Sequence, residues 1–209
     1  MGEYRLNLPL NEEGARRLRV GDVVYLTGEV YTIRDMGYER AVKTLNEGGR
    51  LPFNLKDGAI WHCGPIVREE GGGWKPVSLG STTSSRFTGH AARLVEGCGV
   101  RLIVGKGFMG EEALTVFRNR GAAYAVTTGG AAAYYADKVR RVKDVYWRDL
   151  GMPSAVWVLE VEELGPLIVG MDSHGGDMFA EVSQRVNVSI RRVFRHLGID
   201  PKHRYVWWP

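Results

Sequence analysis

The stretch from Arg101 to Val126 constrains this chain most. Arg101-Leu102-Ile103-Val104 reads as a short apolar strand and Gly105 to Gly110 as a glycine-rich turn. Glu111 to Arg120 then reads as a helix, with acids in its first turn that suit the helix dipole. Ala122 to Val126 is the next strand, so the segment makes one βαβ unit. Around it, helical and hairpin-like signals mix. Arg5-Leu6-Asn7-Leu8 fits an edge strand, Val23 to Val30 a strand, and Arg34 to Leu45 a helix stopped by Gly48-Gly49. Ala59 to Cys63 reads as a buried strand ended by Gly64-Pro65, and Glu69 to Gly73 as a hairpin or loop. A polar, small segment from Ser78 to His90 leads into a helix at Ala91 to Glu96. A helix at Ala131 to Asp137 precedes strands at Val139 to Trp147, Ala155 to Val161 and Pro166 to Val169. The mixture argues for an α/β domain with more than one sheet.

The C-terminal part has a different character. Phe179, Val182, Val186, Ile190, Val193 and Leu197 recur at helical spacing. This stripe, with the basic face of Arg185, Arg192 and Arg195, is expected to cover the core, the alternative being that it binds a partner. The final Val206-Trp207-Trp208-Pro209 is expected to dock on something apolar. The chain therefore divides into an arm (1–20), a central domain (21–180) and a C-terminal helix and tail (181–209).

Composition narrows the function classes. With 209 residues, 44% of them hydrophobic, a core of normal size forms without disulfide staples. The net charge of +4 favours anionic small molecules or an acidic partner surface. No basic run interleaves with aromatics as single-stranded nucleic-acid binding requires, and no apolar stretch is long enough to span a bilayer. Met1 to Leu10 lacks an apolar run of signal length, so a cytoplasmic location is expected. Cys63 and Cys98 form no C-x-x-C pair and no spacing suited to zinc or a cubane cluster, so no metal is assigned to this chain.

Three segments are candidates for chemistry. Gly105-Lys106-Gly107-Phe108-Met109-Gly110 satisfies G-x-G-x-x-G between a strand and a helix. The next strand ends in Val126-Thr127-Thr128, without the acid that would hold a ribose, and no hydroxyl follows Lys106 as a Walker loop needs. A tight strand-to-helix turn is one reading. The other is an anion site, in which glycines on both sides of Lys106 let backbone approach a carboxylate or phosphate. Gly80-Ser81-Thr82-Thr83-Ser84-Ser85-Arg86 reads either as helix capping and loop solvation or as an oxyanion site ending in a bidentate guanidinium. Arg34-Asp35, at a strand-to-helix junction, supplies either a stabilising first-turn acid or a second guanidinium for a substrate with two carboxylates. His62 reads as a satisfied core histidine, His90 as a group near the hydroxyl segment, and Asp172, His174 and Asp177 as a polar loop, with a metal site as the alternative.

Five short motifs in order give a resemblance. Leu26-Thr27-Gly28 with Arg34-Asp35, Ala59-Ile60 with Gly64-Pro65, Thr82 to Arg86, Gly105-Lys106-Gly107, and Gly129-Gly130-Ala131-Ala132 together resemble the β subunits of class I fumarate hydratase and L(+)-tartrate dehydratase. The likeness covers roughly residues 20 to 180. It implies a swivelling β/β/α three-layer domain, here followed by the C-terminal helical extension. It also implies an α subunit whose three cysteines hold a 4Fe-4S cluster, with none bound by this chain, and a heterotetramer of two α and two β chains. In the family the open iron acts as a Lewis acid on the substrate.

By position, Thr82 matches the family's proposed catalytic base, and Arg34, Arg86 and Lys106 match its carboxylate-binding cations. Thr83, Gly105 and Gly107 fall beside them as supporting residues. The implied activity is reversible hydration of fumarate to (S)-malate, with tartrate dehydration as the alternative. An anion- or dinucleotide-binding module without catalysis is the reading from another class. Departures at Tyr38, at Phe87-Thr88 after Arg86 and at Phe108 leave the proposed contacts intact and bear on substrate choice.

Overall fold

The computed structural model describes residues 1–200. Strand β1 (Glu3–Asn7) pairs in parallel with β2 (Val23–Thr32), and helix α1 (Glu12–Arg16) lies between them in sequence. Along β2, Val24, Leu26 and Val30 are fully buried, while Val23, Tyr25 and Thr27 are partly exposed, the alternation of a strand with one face on a core. Helix α2 (Asp35–Asn46) leads through a loop to β3 (Ala59–Trp61). The chain then turns directly into β4 (Cys63–Glu70), which forms a hairpin with β5 (Gly73–Ser81). Gly64-Pro65 was expected to end a strand. It instead lies inside β4, which is tolerable because this two-stranded sheet has open edges where proline's missing donor costs nothing.

A single 3-10 turn at Ser84–Phe87 opens helix α3 (Thr88–Cys98). The expected βαβ unit follows as β6 (Leu102–Gly105), α4 (Glu111–Arg120) and β7 (Ala123–Val126), with β6 and β7 parallel. After α5 (Ala132–Ala136) and β8 (Val139–Tyr146) comes β9 (Val156–Met171). The two strands expected at Ala155 to Val161 and Pro166 to Val169 are one. The signals between them mark a bulge, where Glu163 takes a φ of 51° and its N–H bonds Thr27 Oγ1 at 3.2 Å in place of a ladder partner. Gly165 is needed there because a Cβ would lie 2.7 Å from Val24 O.

β9 pairs with both β2 and β7, so β2, β3, β6, β7 and β9 close on themselves. Inside the closed sheet lie Leu26, Trp61, Val104, Ala125, Leu159, Leu164 and Val169. On its outer face α2, α3 and α4 pack Tyr38, Ala41, Leu94 and Phe117 against Ile60, Ile103 and Tyr124. The hairpin contributes Val67 and Leu79 to the inner core. The α/β class expected from sequence is the class found.

Helix α6 (Met178–His196) is capped by Asp177, whose side chain accepts from the N–H groups of Phe179 and Ala180. Its stripe does not cover the core as expected. Phe179 packs on the domain, but Val182, Val186, Val193 and Leu197 are exposed. The docking expected of Val206 to Pro209 lies outside the described residues. None of the described helices is long and apolar enough to cross a membrane.

The closed interior sets the stability. Leu26→Ala is expected to cost about 2–5 kcal/mol in urea unfolding, as for a buried leucine truncated without collapse of the site. Val188→Ala, on the exposed α6, is expected to stay within about 0.5 kcal/mol.

Candidate functional site

The parallel strands fix where the candidate residues start. Thr32, Trp61 and Val104 form one row across β2, β3 and β6. The carboxyl ends just beyond this row carry Arg34, His62 and Lys106, and the carboxyl edge of a parallel sheet is where ligands of such folds bind. Thr82 joins them because its N–H bonds the His62 carbonyl at 2.6 Å. Thr83 pairs with Lys106 as a lone parallel bridge, and the Ser84 N–H bonds the Lys106 carbonyl at 2.9 Å. The hydroxyl segment and the Gly105–Gly107 turn are thus laced together through backbone.

Arg34 sits at the N-cap of α2, and its side chain runs across Gly64, where a Cβ would overlap the guanidinium. Its Nε donates to Asp35 Oδ2 at 3.0 Å, and Arg86 Nη2 donates to the other oxygen of the same carboxylate. One acid therefore binds two guanidinium groups, that of its neighbour Arg34 and that of Arg86, 51 residues further along the chain. Among the described residues each arginine engages Asp35 through one nitrogen, so its remaining N–H groups are left for another acceptor. Among the described residues, Lys106 Nζ has no ion pair, and the Thr82 hydroxyl makes no protein hydrogen bond. Arg34, Thr82 and Lys106 are partly buried and Arg86 is exposed. A groove of ≈ 580 Å³ beside α3 and α4, lined by Val42, His90, Arg93 and Glu112, contains none of them.

Gly105 is required by packing, since a Cβ there would overlap Ser84 Oγ and approach His62 Nδ1. Gly107 takes a φ of 72°, which only glycine adopts without strain.

Beneath the loops lies a buried chain of hydrogen bonds. Tyr38 Oη is 2.7 Å from His62 Nε2, His62 Nδ1 is 2.9 Å from Ser84 Oγ, and Tyr124 Oη is 2.9 Å from both Ser84 Oγ and the Gly107 carbonyl. Burial holds His62 neutral, with its pKa lowered to about 3, and pushes the Tyr38 and Tyr124 phenols up. His62 is the satisfied core histidine expected. Asp35 as shared counterion and Ser84 and Tyr124 as supports were missed. Tyr38 had a signal, four residues after Arg34 and so one helical turn on; nothing in sequence ties Tyr124 to the site.

The residues present do not fit an iron–sulfur cluster. Burial holds both thiols, Cys63 and Cys98, in their neutral form, and Arg34 opposes this only in part at Cys63. Among the described residues no group of three His, Cys, Asp or Glu side chains is placed to hold a metal ion. Asp172 instead accepts from the N–H groups of Val20, His174 and Gly176.

Comparison with known proteins places the chain in a family. Residues 2–182 match the family described as Fumarase C-terminus. A Methanocaldococcus jannaschii protein, provisionally named L(+)-tartrate dehydratase subunit beta, is 43% identical over 185 residues, 88% of this chain and 94% of that one. The L(+)-tartrate dehydratase subunit beta of Escherichia coli K12 is 41% identical over 179 residues, 84% of this chain and 86% of that one. A Geobacillus stearothermophilus protein, provisionally named fumarate hydratase class I, is 36% identical over 180 residues, 86% of this chain but 34% of that longer one.

The neutral His62 gives a pH prediction. Unfolded, the imidazole takes up a proton near pH 6.5; folded, it does not until about pH 3. The unfolded state therefore binds the extra proton between those values. The contribution of His62 is fully present above pH 6.5 and is lost as pH falls toward 3, by about 1.4 kcal/mol per unit. Urea unfolding at pH 7 and pH 5 is expected to show wild type losing about 2 kcal/mol more than His62→Gln. Parallel losses would remove this role.

Proposed function

The chain belongs to the Fumarase C-terminus family and is a subunit of a hydro-lyase, and from that premise we propose that it is the β half of a two-subunit fumarate hydratase interconverting fumarate and water with (S)-malate. One observation supports the reading: Arg34 and Arg86 share the Asp35 carboxylate, and the segment bearing the Thr82 hydroxyl is laced through backbone to Lys106, at the carboxyl ends of parallel strands. Three cations serve two substrate carboxylates, and one oxygen serves one C–H bond.

In the dehydration direction, Thr82 Oγ1 takes the proton from the carbon beside one carboxylate. The electron pair of that C–H bond first develops as charge on the carboxylate, where Arg86, Arg34 and Lys106 stabilise it. It then forms the C=C bond as the C–O bond to the neighbouring hydroxyl breaks and hydroxide departs; the proton held on Thr82 Oγ1 is then released to solvent, which restores the anion and makes water the net second product. A threonine hydroxyl is a weak base in water, and fixed positive charge beside it favours its anionic form. Gly107 and Thr83 hold Lys106 against the hydroxyl segment, and Gly105 lets Ser84 approach.

The partial exposure of these side chains supports an α subunit that closes over the substrate and excludes water. Such enzymes carry a 4Fe-4S cluster, which this reading assigns to the α subunit, since the thiols here are unsuited to it. Two free cysteines accord with a reducing, cytoplasmic setting.

A second reading is L(+)-tartrate dehydration, favoured by the names of the relatives at 43% and 41% identity. Steady-state turnover of the anaerobically reconstituted αβ complex on malate and on L(+)-tartrate separates the two. Faster turnover of malate is expected, and much faster turnover of tartrate would replace the first reading. The purified β chain alone is expected to be inactive and iron-free by metal analysis.

In the complex, Thr82→Ala is expected to lower kcat by about 10²–10⁴-fold with KM within about threefold, the signature of a group acting in the transition state. Unchanged kcat would remove Thr82 from the role of base.

A further inference from the structure

Four buried side chains tie together every segment that carries a candidate site residue. We propose that the chain Tyr38–His62–Ser84–Tyr124 positions Arg34, Thr82 and Lys106 relative to one another, and that its members are positioning residues of the hydro-lyase reaction. The proposal rests on the function proposed above.

The links run through all three site segments. Tyr38 lies one turn into α2, and its N–H bonds the Arg34 carbonyl at 3.0 Å. His62 takes backbone bonds on both sides: its N–H donates to Val104 O at 2.7 Å, and its carbonyl accepts from Thr82 N–H. Ser84 lies two residues after Thr82 and two before Arg86, and its N–H holds the Lys106 carbonyl. Tyr124, on β7, reaches the carbonyl of Gly107, the residue after Lys106. Tyr38, His62, Ser84 and Tyr124 are all fully buried, so no water competes for these bonds. The Phe87 ring walls them in, stacked on Tyr38 with centroids 5.3 Å apart and edge-on to His62 at 4.9 Å.

One arrangement of the protons along the chain gives each buried hydroxyl and the imidazole N–H its own acceptor. The Gly107 carbonyl can only accept, so the Tyr124 O–H donates to it. The contact between Ser84 and Tyr124 then needs the Ser84 proton. Ser84 Oγ must therefore accept from His62 Nδ1–H, which leaves His62 Nε2 to accept from the Tyr38 O–H. Every buried proton has an acceptor, and His62 is neutral in a single tautomer. Such a network has no slack, and removal of one hydroxyl releases a site loop from its register.

The test uses the αβ complex, with rates expressed per folded enzyme. Tyr38→Phe and Tyr124→Phe each remove one oxygen and leave the ring in place. Each is expected to lower kcat by about tenfold or more, as small misplacements of reacting groups do, with KM within about threefold. The double variant is expected to be no slower than about the slower single, because the chain acts as a unit. A merely structural role would lower the unfolding midpoint and leave kcat unchanged, and that result would overturn the proposal. Independent, multiplying losses would also overturn it. Thr82→Ala in the same assay keeps the two ideas apart. If Thr82→Ala is inactive while both Phe variants are fully active, only the positioning proposal fails; if Thr82→Ala is fully active, the parent reading fails.

Discussion

Parallel pairing of β2, β3 and β6 is the constraint on which the site depends. Parallel strands send their carboxyl ends to one edge, and neighbours lie about 4.8 Å apart. The row Thr32, Trp61 and Val104 therefore brings Arg34, His62 and Lys106 to one edge, although more than 70 residues separate the first from the last. The hairpin β4–β5 returns the chain to the same edge and delivers Thr82 onto the His62 carbonyl. Closure of the sheet through β9 buries the inner face and makes the platform rigid. Loops on such a platform inherit its precision, which loops on a mobile scaffold would not.

Electrostatics divides by depth. The surface layer holds the positive charge, with Asp35 as an internal counterion that keeps two guanidinium groups from repelling each other apart. The layer below is polar but uncharged, because burial keeps His62 and the two phenols neutral. A neutral, fully bonded floor under fixed cations suits a substrate dianion. It adds no second positive charge from below, and it gives the loops little freedom to rearrange when the ligand arrives.

Much of this was legible in the residues. The βαβ unit at Leu102 to Val126 and the buried strand at Ala59 followed from apolar runs punctuated by glycine, and the order of five short motifs pointed to the family. Three features were not legible, each for a physical reason. Gly64-Pro65 and Gly165-Pro166 look like strand ends, but tertiary pairing carried the chain through both, once at an open edge and once as a bulge. The α6 stripe has the period of a core helix, and periodicity cannot say whether a partner for that face lies within the chain. Tyr124 joins the site only through three-dimensional contact across β6 and β7, which no local pattern encodes.

The central claim is that this carboxyl edge binds a four-carbon dicarboxylate. A crystal structure of the αβ complex with malate or fumarate bound tests it most directly. The account predicts carboxylate oxygens within about 2.7–3.2 Å of nitrogens of Arg34, Arg86 and Lys106, with Thr82 Oγ1 facing a substrate carbon. A dicarboxylate seated in the groove beside α3 and α4, touching none of those four side chains, would contradict it.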